Sequence, residues 1–111
     1  MIIEEEFNTN LRSFRLRLLK YTNGCILSVS EGSEDRIGGI YLILKQEKNI
    51  SSTTIIPERY GGVLLEVLAQ STARYTKGII LTTLYLKNTL TSEEASTVLN
   101  KLENILSKLT P

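Results

Sequence analysis

The chain has 111 residues, 41% of them hydrophobic and 23% charged, with a formal net charge of +1. That length supports one domain with one modest core, expected to run over residues 1–111. The near-neutral balance argues against a molecule drawn as a whole to nucleic acid or an anionic membrane, and the absence of histidine removes the commonest general base and metal ligand.

Cys25 is the single cysteine, so no intramolecular disulfide is possible and a reducing compartment is expected. Met1–Glu6 is too short and too acidic for a signal peptide. No apolar run approaches the roughly 20 residues of a membrane span.

Residues 1–10 read either as an edge strand docked through Ile2, Ile3 and Phe7, or as a loose segment. Glu4, Glu5 and Glu6 form an acidic run, and Arg12, Arg15, Arg17 and Lys20 follow with no acid among them. Arg12–Lys20 alternates. Phe14, Leu16 and Leu18 fall on one face and Arg15 and Arg17 on the other, which predicts a half-buried strand with a basic outer face. Asn23-Gly24 predicts a tight hairpin turn with positive φ at both residues. Cys25–Ser30 is the return strand, with Cys25, Leu27 and Val29 on one face and Ser28 and Ser30 on the other. Glu31–Arg36 is a polar turn. Gly38-Gly39 leads into a third strand, Ile40–Leu44, apolar on both faces. Ser52–Ile56 reads as a fourth strand, ended by Pro57, which cannot donate to a ladder.

A helix is expected from near Gly62 or Val63 to about Thr76, carried by Leu64, Leu65, Leu68, Ala69, Thr72 and Tyr75 and stopped by Gly78. Ile79–Leu86 is the central strand: rich in β-branched residues, free of internal charge, and apolar in both alternating sets. The last helix opens with a capping box, Thr91 as N-cap and Glu94 three residues on. Its apolar stripe is Ala95, Val98, Leu99, Leu102, Ile105, Leu106 and Leu109. The order β-β-β-β-α-β-α predicts an α+β fold, a largely antiparallel sheet with two helices packed on one face. The helix-covered core should include Leu68, Leu102, Leu106 and Ile79. The other sheet face then has no cover within the chain, and an exposed apolar face of that kind marks a protein interface.

Catalytic chemistry finds no support. Neither a Ser-His-Asp nor a Cys-His set is possible, and Cys25 reads as a small core residue. Glu93 and Glu94 suit the dipole of a helix N-terminus. Gly38-Gly39 and Gly61-Gly62 lack phosphate-loop spacing. No enzyme activity, cofactor or metal is expected. The partner-facing set is read as Ile80, Thr82 and Leu84, with Tyr41 and Ile43 alongside, because a threonine hydroxyl is better tolerated at a protein–protein face than beneath a helix. Arg15 and Arg17 are expected to be exposed, as a docking surface for an acidic protein. Nucleic acid is disfavoured, since only Tyr21 offers a nearby stacking group.

The succession Ser52-Thr53-Thr54-Ile55-Ile56, a helix ending Ala73-Arg74-Tyr75-Thr76-Lys77, the strand Ile79–Leu86 and a terminal amphipathic helix resembles the proteasome assembly chaperone 4 family, of chaperone 3/chaperone 4 type. The first half agrees in layout: a basic strand, a hairpin, a serine-containing return strand, an acidic turn and an apolar third strand. The resemblance covers roughly residues 10–109. It implies a small cytoplasmic protein, also nuclear in some settings, that catalyses nothing. Such a protein pairs with a paralogous assembly chaperone of the chaperone 3 type as a heterodimer, or with itself as a homodimer. It holds a proteasome alpha subunit, chiefly the fifth, while the alpha ring of the core particle assembles. The alternative is a small dimeric α+β adaptor of the roadblock or longin kind in trafficking or GTPase signalling. The proteins that co-purify separate the two.

Overall fold

The computed structural model describes residues 1–9 and 11–109. Its elements are β1 (Ile2–Asn8), β2 (Ser13–Tyr21), β3 (Gly24–Glu31), β4 (Gly39–Lys45), β5 (Ile50–Ile56), α1 (Gly62–Ala73), β6 (Gly78–Tyr85) and α2 (Ser92–Ser107). The strands make one six-stranded sheet in the order β1-β2-β3-β6-β4-β5. All pairs are antiparallel except β3 with β6. The α+β class, the largely antiparallel sheet and the helices late in the chain are as the sequence predicts. The N-terminal segment resolves to its strand alternative, a complete edge strand on β2. Asn10, where that segment was expected to end, lies outside the described residues.

β6 sits between β3 and β4 at the centre of the sheet. A strand there is buried from both edges, which suits its charge-free sequence. Entry into it depends on two glycines. Gly78 has a φ of +85°, and the following Ile79 N–H donates to Asn23 O at 3.0 Å. A Cβ on Gly24 would lie 2.0 Å from Ile79 O, so only glycine lets the tip of the β2–β3 hairpin touch the start of β6. This corrects the expected hairpin chemistry. Thr22 and Asn23 form the turn, Gly24 already belongs to β3, and no residue of this turn has positive φ. Gly24 is needed for close approach rather than for turn geometry.

The core lies between the sheet and the helices. Phe14, Leu16 and Leu18 from β2, Leu27 and Val29 from β3, and Leu65, Leu68, Leu102 and Leu106 from the helices are all at most 1% exposed. α1 packs over β4 and β6. α2 reaches the β1–β2 end, where Lys101 Nζ pairs with Glu5 Oε2 at 2.9 Å and Phe7 stacks on Phe14 with ring centroids 5.3 Å apart. The capping box forms as expected: Glu94 N–H donates to Thr91 Oγ1 at 3.1 Å and Thr91 N–H to Glu94 Oε1 at 2.9 Å. Cys25 is buried in this core, where desolvation raises its thiol pKa. Ile79, expected among the core residues, is 46% exposed. It lies on the far side of the sheet, because its neighbour Ile80 takes the inward position.

Candidate partner-binding face

Strand register carries the face away from the helices across the whole sheet. One row runs Ile2, Leu19, Ile26, Leu81, Leu42 and Thr53, each the register partner of the next. The row beside it includes Ile79 and Leu44, also register partners, at 46% and 39% exposure. Leu19, Ile26, Leu42 and Leu81 are half-buried. Among the described residues no helix covers this side, so the strip is open to solvent.

One end of the same face is closed by the loop between β3 and β4. Ser30 Oγ donates to Glu34 O at 2.9 Å and accepts from Arg36 N–H at 3.1 Å. Gly38 N–H donates to Thr83 Oγ1 at 3.1 Å, and the Arg36 guanidinium lies 5.6 Å from the centre of the Tyr85 ring. These contacts bury Ser30 and Thr83, although both point away from the helices. The loop thus leaves the aliphatic half of the face uncovered and seals the polar half.

Asp35 of this loop joins a lattice of charges on β1 and β2. Arg15 Nε binds Asp35 Oδ1 at 3.1 Å and Arg15 Nη1 pairs with Glu6. Arg17 Nε lies 3.0 Å from Glu4 Oε1, and its Nη1 lies 3.7 Å from Asp35 Oδ2. Asp35, by hydrogen bond and charge, raises the Arg15 pKa above its ordinary value. The expected exposed basic surface is therefore partly buried and internally neutralised. Each arginine faces two carboxylates.

The partner-facing set read from the sequence has the wrong phase. Ile80, Thr82 and Leu84 are fully buried, Ile43 is 2% exposed and Tyr41 7%. All except Thr82 belong to the apolar core against the helices. Thr82 Oγ1 is buried without a hydrogen-bond partner, so the hydroxyl chosen as a marker of the interface is instead a cost carried inside the core. The residues available on the open face are Leu19, Ile26, Leu42, Leu44, Ile79 and Leu81. Ser28 and Ser30 offered the usable signal. They lie opposite Arg17 and Arg15, on the outward face of β3, and Ser28 is the register partner of Thr83.

A second apolar depression, about 320 Å³, lies between the helices and is lined by Tyr60, Val63, Leu64, Leu90 and Leu99. Its wall is mostly aliphatic, with Tyr60 and Ser96 as the polar side chains among its lining residues. Among the described residues, no group of three or more His, Cys, Asp or Glu could hold a metal ion, and no helix is long and apolar enough to cross a membrane.

No family model matches this chain, and no curated protein does. Among solved structures, the chain is similar to one from the crystal structure of a novel chaperone complex for yeast 20S proteasome assembly. The TM-score is 0.67 at 11% identity, with 96% of this chain and 98% of that chain covered. At that identity the shared property is the fold: one sheet with two helices on one side.

Proposed function

We propose that this chain is a non-enzymatic assembly chaperone. It pairs through the open face of its sheet with a related chain and, in that pair, holds a proteasome alpha subunit during alpha-ring assembly. The observation that carries the reading is the uncovered aliphatic strip on β3, β6 and β4, in a fold similar to that of a chain from a proteasome assembly chaperone complex. A strip of this kind gains free energy when a second apolar surface displaces its water. The related chain is a paralogous chaperone of the chaperone 3 type, and a second copy of this chain is the substitute. The pair works in the cytoplasm.

Arg15 and Arg17 are the candidate contacts for an acidic patch on the client. They are already paired, so binding proceeds by exchange: client carboxylates replace Asp35 or Glu4 and Glu6. Exchange of this kind contributes orientation and rate more than affinity. Pull-down of the tagged chain from its own cytosol tests the reading. Recovery of proteasome alpha subunits without mature beta subunits supports it. Recovery of trafficking or GTPase machinery alone overturns it in favour of the adaptor class.

A further inference from the structure

The apolar depression between the helices continues past Tyr60. Tyr60 and Leu86 also line a second depression, about 480 Å³, at the end of the sheet where β5 and β6 finish and β4 begins. The two share those residues, so they make one continuous groove. Much of its apolar lining is accessible: Val63 is 76% exposed, Ile37 74% and Ile56 45%. Tyr60 and Tyr85 also line it, each with an arginine against its ring. The Arg59 guanidinium lies 5.7 Å from the centre of the Tyr60 ring, and Arg36 stacks on Tyr85. Tyrosine and arginine are over-represented among the anchoring side chains of protein interfaces.

The available charge in the groove has one sign. Arg59 and Lys87 line it and are exposed, and among the described residues neither pairs with a carboxylate. Glu58 is the one carboxylate in the lining, and both its oxygens are taken. Its Oε2 accepts from Gly39 N–H at 3.1 Å and its Oε1 from Tyr60 N–H at 3.0 Å. An anionic group arriving here has two free cations to meet and no ion pair to displace.

We propose that this groove docks a segment of another protein in which a large apolar side chain is flanked by carboxylates. The depression between the helices, about 320 Å³, takes the apolar anchor, and Arg59 and Lys87 at the sheet end take the carboxylates. Spread over two depressions, the lining suits a length of chain rather than a compact ligand. A second copy does not supply that segment. The acidic run of this chain is already held in β1, with Glu6 on Arg15, Glu4 on Arg17 and Glu5 on Lys101. The groove is separate from the open sheet face and stands or falls independently of the chaperone reading.

The test selects a displayed library of random peptides on the intact chain. Fluorescence anisotropy then compares the enriched peptides on wild type, R59E/K87E, S96W and L81D. Arg59, Lys87 and Ser96 are exposed, so the fold is retained, and thermal melts check it. The enriched peptides should carry Asp or Glu beside a Leu, Ile or Phe. R59E/K87E should weaken their binding roughly tenfold or more, and added salt should weaken binding to wild type. S96W, which sets a ring in the depression, should also weaken it, whereas L81D, altered on the open face, should bind as wild type does. A second selection on R59E/K87E should return Lys or Arg in place of the acids. The proposal is overturned if no peptide is enriched, if the enriched peptides lack acids, or if R59E/K87E binds them as tightly as wild type. Loss of binding in L81D alone places the site on the open face and overturns it too. Self-association of wild type that R59E/K87E and S96W abolish would make a second copy the occupant, which also overturns it.

Discussion

Ile26 and Leu81 are register partners across the single parallel strand pair, and both point away from the helices. They place the middle of the aliphatic strip at the middle of the sheet. Leu81→Asp should therefore leave the fold nearly as stable as wild type while weakening partner association by more than tenfold. A central contact of this kind is worth about 2 kcal/mol or more. Ile80→Asp, one residue away on the opposite face and fully buried, should instead cost roughly 4 kcal/mol or more of stability. Thermal melts and a binding titration on the two variants check the contrast. Equal behaviour of both would contradict the assigned phase.

Leu102 is fully buried in the stripe of α2 that meets the sheet. Leu102→Ala should cost roughly 2–5 kcal/mol, the transfer free energy of the lost methyls plus the cavity left behind. A denaturant midpoint unchanged by the substitution would mean that α2 does not pack on the sheet.

Arg12 ties four segments together. Its guanidinium binds Glu31 Oε1 at 3.1 Å, Glu94 Oε2 at 3.0 Å, and the carbonyls of Asn88 at 3.1 Å and Thr89 at 2.9 Å. Arg12→Ala leaves those acceptors short of a donor, in a site where the Glu31 side chain is only 8% exposed. The expected loss is about 1–3 kcal/mol. Arg36→Ala removes a surface pair with Glu34 and the contact with the Tyr85 ring and should cost about 1 kcal/mol or less. Comparative chemical denaturation separates the two.

The same cluster gives a pH dependence. The pKa of Glu94 is lowered, first by the Thr91 backbone N–H and further by the Thr91 hydroxyl and Arg12. A carboxylate whose folded pKa is lowered contributes stability above its unfolded value, roughly 4.3. That contribution is lost as pH falls through the folded value. Glu94→Gln should flatten the fall in stability below about pH 4, read from melting midpoints at stepped pH. An unchanged slope would remove Glu94 from the acid response.

Arg15 and Arg17 share Asp35 and also pair with Glu6 and Glu4. Reversing both to Glu would gather five acids on one face, mixing a folding defect with any binding defect. Replacing both with Gln keeps length and polarity and leaves three acids unpaired. The expected result is a stability change within about 1 kcal/mol and a slower, less salt-sensitive capture of the client. Association rates at two ionic strengths check it. A salt dependence identical to wild type would exclude these arginines from the encounter.

The sequence marked each element whose two faces differ. Phe14, Leu16 and Leu18 alternate with arginines, so the inward face of β2 is legible from periodicity alone. Glu4 and Glu6 share the same two-residue period, and their ladder with Arg17 and Arg15 follows once β1 is taken as a strand. The capping box of α2 is equally local. β6 has no such marker. Both alternating sets are aliphatic and each contains one interior threonine, Thr82 or Thr83, so the polar residue cannot fix the phase. Thr83 finds a donor in Gly38 N–H, and Thr82 has none. The phase is set by the parallel register with β3, where Ser28 meets Thr83 across more than 50 positions of chain. No local pattern encodes a pairing at that separation.

Site-specific photo-crosslinking tests the central claim most directly. A photoreactive side chain is placed at Leu81, on the open face, or at Gln70, exposed on α1, and the tagged chain is irradiated in its own cytosol. The account predicts a covalent adduct from position 81 that contains a related assembly-chaperone chain, and no such adduct from position 70. Adducts to that chain from position 70 alone would contradict it.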